Sequence, residues 1–173
     1  MVKLATLARE EPEVADFEAH PPNLEAYRET LNGYLPISRE YQGPAFLFPD
    51  QLPDAPRAAL VTADDQSSLE QHFAWAIEEW DDIQPVVAAI EDGVAVSLCH
   101  APASSEQASE AGVETIEAAR GRGYAVEVVA VWARAVREAG RLPMYSTTWD
   151  NAASRRVAAK LGLGMYGEDL NLT

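Results

Sequence analysis

The spacing of apolar positions divides the chain into elements. Leu24, Tyr27 and Leu31 recur at helical steps within Asn23–Asn32, with Asn23 as the cap and Gly33 as the stop. Val2–Phe17, before it, reads as a short acidic helix. Pro36, Pro44, Pro49, Pro53 and Pro56 then interrupt regular structure and predict an extended segment laid over the rest. Its aromatic residues Tyr34, Tyr41, Phe46 and Phe48 are expected to pack on the main sheet, or alternatively to line an acceptor pocket. Ala58–Val61 is strand-like. Leu69, Phe73, Ile77 and Trp80 then mark the buried stripe of a helix capped by Asp64 and Asp65 and running to about Asp81, with His72 and Trp75 off the stripe. Pro85–Ile90 and Val94–His100 are apolar, β-rich runs joined by Glu91-Asp92-Gly93, a strong hairpin signal. Ala101–Glu110 is small and polar and reads as a loop. Val113, Thr115 and Ile116 form a strand that runs into a glycine turn. Val126–Ala139 is an apolar helix stopped by Gly140, and Leu142–Trp149 is a strand. Asn151–Leu161 is a helix ended by Gly162, and Gly164–Leu172 is a last strand.

The order strand, helix, hairpin, strand, helix, strand, helix, strand predicts a mixed α/β domain around a central sheet. The unit Val113–Trp149 is strand, loop, helix, strand. It should cross over right-handed and make its two strands parallel. Ligands of such sheets sit beyond the carboxyl ends of the strands, which directs attention to Arg120–Ala125.

Charge narrows the partners. The 173 residues suggest one domain, and 28 acidic against 13 basic residues give a net charge of -15. Nucleic acid and anionic membranes are therefore not expected partners. The acidity crowds the start (Glu10, Glu11, Glu13, Asp16, Glu18). The bases gather in the second half, at Arg120, Arg122, Arg134, Arg137, Arg141, Arg155, Arg156 and Lys160, where a polyanionic ligand would fit. Cys99 is the only cysteine and sits in an apolar run, so a buried thiol is expected and no zinc cluster. The N-terminus turns acidic by Glu10 without a long apolar core, and no stretch reaches membrane-helix length. A cytoplasmic location is the expectation.

The chemistry concentrates in Ala111–Ala125, A-G-V-E-T-I-E-A-A-R-G-R-G-Y-A. The first N–H groups of a helix have no internal partner and carry partial positive charge, so a glycine loop leading into one makes an anion site. Gly121 and Gly123 permit close backbone approach, and Arg120 and Arg122 add charge. The dinucleotide fingerprint lacks its third glycine here, and the Walker loop is absent. A second element, Trp149-Asp150-Asn151-Ala152-Ala153-Ser154, joins a strand to a helix. Asn151 can cap that helix or offer its amide to a ligand.

Arg120–Ala125 fits Gln/Arg-x-x-Gly-x-Gly/Ala, and W-D-N-A-A-S-R-R-V-A-A-K-L-G-L fits Asn-x-x-Ala/Ser…Lys-x-Gly-Phe with Leu163 at the Phe position. With the hairpin and G-V-E-T-I-E-A-A in order before them, Val86–Leu163 resembles the acetyl-CoA-binding core of the GNAT superfamily of N-acetyltransferases. The resemblance implies a mostly antiparallel mixed sheet with a parallel pair at the acyl-CoA site, flanked by helices. It divides the single domain 1–173 into a variable segment 1–57 and an acyl-CoA-binding core 58–173. It implies acetyl-CoA as cosubstrate, no metal, and an amine acceptor on a small molecule or peptide that attacks the thioester directly; association into a homodimer stays open. Val113 and Thr115 would pair with the pantetheine arm. Gly121, Gly123, Tyr124, Ala125 and Val126 would wrap the pyrophosphate with Arg120 and Arg122 in support. Asn151 and Ser154 would contact the cofactor.

Two family features are missing. The position seven residues after Asn151, where many members carry a tyrosine acid, is Ala158; Tyr145, Tyr124 or water would have to replace it. A glutamate general base falls near Ala111 or at Ser146, and the candidates become Glu110 and Glu114, then Glu117 and His100. Three classes therefore stay open: an acetyltransferase, a non-catalytic acyl-CoA-binding or regulatory module on the same fold, and a nucleotide-binding domain.

Overall fold

In the computed structural model, residues 2–11, 23–34 and 36–172 are described. A seven-stranded sheet runs β2-β3-β4-β5-β6-β1-β7. Its strands are β1 (Glu40–Leu47), β2 (Ala58–Leu60), β3 (Val87–Glu91), β4 (Val94–Ser104), β5 (Ala108–Thr115), β6 (Leu142–Ser146) and β7 (Gly164–Leu172). The helices are α1 (Val2–Glu10), α2 (Leu24–Asn32), α3 (Ala74–Glu78), α4 (Tyr124–Glu138) and α5 (Ala152–Lys160). All neighbouring strands are antiparallel except β5 and β6, which are parallel as the crossover rule requires.

Helix α4 organises the larger core. Val128, Val129, Trp132, Ala133 and Val136 form its buried stripe against one face of the sheet, with Phe48, Val87, Cys99 and Tyr145 opposite. Cys99 is fully buried there, and burial pushes its thiol well up. Gly123, at φ 93, caps the helix start in the left-handed region, and Gly140, at φ 76, lies just beyond its end. A second cluster, Leu69, Phe73, Val86 and Leu98, fills the other face at the β2–β4 end.

Four sequence expectations change. The helix expected from Asp64 to Asp81 is a 3₁₀ segment, Ala63–Leu69, followed by the five-residue α3. Thr62 Oγ1 donates to Asp65 and Ser68 Oγ to the Asp65 carbonyl, local bonds that compete with helix propagation. Leu69 and Phe73 are still buried, so the stripe was real although the continuous helix was not. Ala101–Glu110 is not a loop. β4 runs on to Ser104, and β5 begins at Ala108 after a tight turn in which Ser105 Oγ accepts from the Gln107 and Ala108 N–H groups. Residues 40–47 do not lie over the sheet but form its sixth strand, β1, between β6 and β7. Pro44 stands beside a bulge between Ala45 and Phe46, the kind of place where a strand tolerates the missing N–H, and its carbonyl accepts from Thr147 N at 3.2 Å. Only the continuation is draped as expected: Arg134 and Arg137 of α4 donate to the carbonyls of Phe48, Pro49, Leu52 and Pro53. Finally, Asn23 makes no side-chain cap bond. Of the expected helix Val2–Phe17, the part after Glu11 lies outside the described residues. The hairpin turn holds as read, with Asp92 and Gly93 both at positive φ, 50° and 82°.

Candidate functional site

The parallel pair is short. β5 and β6 pair only at Ala108–Leu142, Ser109–Pro143 and Glu110–Met144, and then part. β5 stays paired with β4 as far as Thr115–Ser97, so beyond Glu110 its other edge has no strand partner. The chain leaving β6 bends toward β1, where Thr147 N donates to the Pro44 carbonyl and Trp149 N to that of Gln42. Gly43 permits that bend. A Cβ there would stand 1.9 Å from the Thr147 carbonyl oxygen, so no side chain fits. The result is a V-shaped cleft of about 830 Å³ with a wall of unpaired β5 backbone.

The glycine loop closes one end. Val113, Thr115, Arg120, Gly121, Gly123, Tyr124, Ala125 and Val126 all line the cleft. Arg122 does not: its guanidinium turns to the β3–β4 hairpin and donates to Glu91 from both terminal nitrogens, one at 2.8 Å. Tyr124 also donates to Glu91, and these two bonds, the tyrosine's first, hold the Glu91 carboxyl below its ordinary range. From the N-terminal side, Arg57 packs 4.3 Å over the Tyr124 ring. It donates to Glu127 in the first turn of α4, and its Nη2 reaches the Arg122 carbonyl at 3.2 Å. The loop is thus braced from outside, and the first turn of α4, through Tyr124, Ala125 and Val126, borders the cleft.

Helix α5 is the opposite wall. Asn151 Oδ1 accepts from Ser154 N at 3.0 Å, so its side chain serves as the helix cap, and both residues line the cleft. Ser154 Oγ lies 2.6 Å from the hydroxyl of Tyr145, a buried tyrosine that also borders the cleft. Burial pushes the Tyr145 phenol up to about 12, against the opposing effect of the Ser154 bond.

The candidate carboxylates share the sheet face turned away from α4. Pairing of His100 with Gly112 and Leu98 with Glu114 puts these side chains on that face, and Glu110 shares it by alternation. Glu110 sits where β5 and β6 part. Ser146 Oγ donates to it, and the Tyr41 hydroxyl lies 3.3 Å from Ser146 Oγ. Tyr41, Ser146 and Glu114 line the cleft. The Tyr41 phenol is raised first by burial, and also by the Glu110 and Asp169 charges. Glu117 opens a 3₁₀ turn away from this group. His100 lies behind the cleft wall. Its ring would be 2.6 Å from a Cβ on Gly112, it packs at 4.9 Å on Trp75, and its Nδ1 is buried without a partner.

Desolvation lowers the His100 pKa to about 4. The unfolded chain therefore binds a proton that the folded chain refuses between about pH 6.5 and 4, and stability falls as pH falls through that window. Between pH 7 and 4.5 the wild type should lose about 2 kcal/mol more than His100→Leu. Denaturant titrations at the two pH values measure this, and equal losses in both proteins would rule it out.

Tyr41 was expected from sequence only as one of several aromatics packing on the sheet or lining an acceptor pocket, and Gly43 and Arg57 were not read as site residues, because their partners lie roughly 70 to 105 residues away. Among the described residues, no group of three or more His, Cys, Asp or Glu side chains could hold a metal ion. No described helix is long and apolar enough to cross a membrane.

Comparison with known proteins places this architecture. The family model described as an acetyltransferase (GNAT) domain matches residues 3–164. A GNAT-family acetyltransferase from Novosphingobium aromaticivorans superposes with a TM-score of 0.60 at 17% identity, over 79% of this chain and 65% of its own. A GCN5-related N-acetyltransferase-like protein from Streptococcus suis gives 0.61 at 17% identity, over 86% and 68%. A GCN5-related N-acetyltransferase from Kribbella flavida gives 0.57 at 22% identity, over 87% and 63%. The chain thus spans less than two thirds of the first and third of these structures. Among curated proteins none matches.

Proposed function

Because this chain belongs to the GNAT acetyltransferase family, we propose that it moves an acetyl group from acetyl-CoA to a primary amine of a small molecule or peptide by direct attack. The observation that carries this reading is the parting of β5 and β6 after Glu110 and Met144. It leaves an open strand edge that leads from a braced helix N-terminus to a carboxylate. The residues fit acetyl-CoA. The β5 edge from Ala111 to Thr115 offers backbone donors and acceptors to the amides of a pantetheine arm. The N–H groups at the start of α4, reached over Gly121 and Gly123, suit a pyrophosphate. When bound, acetyl-CoA supplies an activated acyl group whose departing thiolate needs little help.

The chain's own groups would handle the protons. The amine approaches from the face opposite α4, where Glu110, poised by Ser146 and Tyr41, takes its proton. Glu114, farther along the same strand, contributes negative charge that favours a cationic acceptor. On the other side, Ser154 gives a proton to the sulfur and Tyr145 replenishes it. Tyr145 holds its proton at neutral pH because burial pushes it up to about 12. This pair takes the part of the tyrosine that Ala158 lacks.

Tyr145→Phe is expected to lower kcat about a hundredfold, the weak end of general acid catalysis, since a thiolate leaves readily. Acetyl-CoA affinity should hold. Thiol release under saturating substrates measures it, and an unchanged kcat would remove Tyr145 from the chemistry. The whole reading is tested by calorimetry with acetyl-CoA, CoA, ATP and NAD, followed by turnover over a panel of amines and peptides. Binding of CoA species with turnover is expected. Binding without turnover on any acceptor would favour a regulatory acyl-CoA module, and preference for ATP or NAD would overturn the acyl-CoA assignment.

A further inference from the structure

The resemblance places residues 1–57 outside the acyl-CoA-binding core, yet the end of that segment delivers one side chain to the glycine loop. Its path is fixed on both sides of that residue. Phe48 packs on Trp132 of α4, Arg134 and Arg137 hold the carbonyls that follow, and β2 begins at Ala58. Arg57 is thereby set against the first turn of α4. Its backbone N–H and its Nε donate to the two oxygens of Glu127, at 2.9 and 2.8 Å. Its Nη2 donates to the same carboxylate and, at 3.2 Å, to the carbonyl of Arg122, while the guanidinium lies over the Tyr124 ring. A Cβ on Gly123 would stand 3.4 Å from that Nη2. Neither Arg57 nor Glu127 lines the cleft.

Glu127 sets up a conflict. A carboxylate in the first turn stabilises a helix because it meets the positive end of the dipole, and that positive end is also what a phosphate needs. Left bare, Glu127 would repel a pyrophosphate at the same terminus. Arg57 removes the conflict, since it cancels the charge and holds the carboxylate on the outer side of the helix. A lysine could cancel the charge as well. The guanidinium fork, however, also reaches the loop carbonyl at Arg122, between the two glycines.

We propose that Arg57 is a positioning residue of the donor site. It keeps the Glu127 charge from acting on the pyrophosphate and fixes the glycine loop at Arg122, so donor affinity depends on a side chain that does not line the cleft. The assignment rests on the acyl-CoA reading of the cleft.

The test is calorimetry with CoA on the wild type, on Arg57→Gln and on the double variant Arg57→Gln/Glu127→Gln. The Arg57 side chain is 44% exposed, so its replacement leaves no buried cavity, and a thermal melt follows folding. Arg57→Gln should raise the Kd for CoA about tenfold or more, the effect of losing one charge-assisted hydrogen bond. Added salt should shrink the deficit, because it screens the bared carboxylate. Adding Glu127→Gln should recover part of the loss, because it removes the charge that Arg57 shields. A merely structural role predicts otherwise: a partly unfolded variant binds with lower stoichiometry and an unchanged Kd, and a second substitution in the same contact does not restore it. A wild-type Kd in Arg57→Gln overturns the assignment, and so does a loss that Glu127→Gln does not relieve; both leave the acyl-CoA reading standing. If the wild type binds no CoA, the acyl-CoA reading falls and the assignment falls with it.

Discussion

Gly123→Glu is expected to abolish CoA binding while leaving the protein folded. Gly123 sits at φ 93, where an L side chain is strained by about 1–2 kcal/mol. A Cβ there would meet Arg57 Nη2 at 3.4 Å, the guanidinium that braces the loop. The glutamate would add a negative charge to the mouth of the proposed anion site and displace a phosphate from helix N–H donors. Hydrogen bonds to charged groups contribute roughly 1.5–3 kcal/mol each. Losing one of them and adding the strain comes to about 2.5–5 kcal/mol, or roughly 60-fold to a few thousandfold in affinity. Gly123→Ala separates the terms: it keeps the strain, adds no charge, and should weaken binding only about tenfold. Calorimetry with CoA reads both variants. A folded Gly123→Glu protein with wild-type affinity would show that the phosphates dock elsewhere.

The second large effect belongs to Glu110. Glu110→Gln keeps the shape and the Ser146 contact but cannot accept a proton from an amine. Loss of a positioned base lowers kcat by roughly 10²–10⁴-fold. KM for acetyl-CoA should change little, because Glu110 is on the sheet face away from α4, at the point where the strands part, and is not one of the residues that line the cleft. Ser146→Ala should fall between wild type and Glu110→Gln, since it removes only the bond that orients the carboxylate. Steady-state kinetics across pH 6–9 measure all three. A Glu110→Gln enzyme with the wild-type kcat at every pH would move the base to Glu114 or to solvent.

The local devices of this site were legible in the residue order. A glycine at positive φ before a helix, an Asn capping the next helix, and an Asp-Gly turn are fixed by a few neighbouring residues, and each stands where the spacing put it. Parallel pairing of β5 and β6 followed from handedness alone. Long-range pairing was not legible. Pro44 argued against a strand at 40–47, yet β1 is held between β6 and β7 by partners roughly a hundred to 130 residues away. Two arginines flank Gly121 with the same apparent claim on a phosphate. The fold turns Arg122 to Glu91 on the hairpin and leaves Arg120 on the cleft wall, and nothing in R-G-R-G distinguishes them.

The proposed acyl-CoA cradle thus lies in the chain itself, because backbone conformation, helix dipoles and caps are short-range effects that a few residues specify. The proton path does not. Glu110 becomes a candidate base only because β5 and β6 separate at that residue. They separate because Gly43, far off in sequence, lets the chain after β6 bend onto β1, at a distance no side chain would allow. Likewise Ser154 and Tyr145 meet only once helix α5 folds back on the strand before it. Contacts between distant segments depend on which surfaces the whole core buries together, and that is a property of the packed molecule.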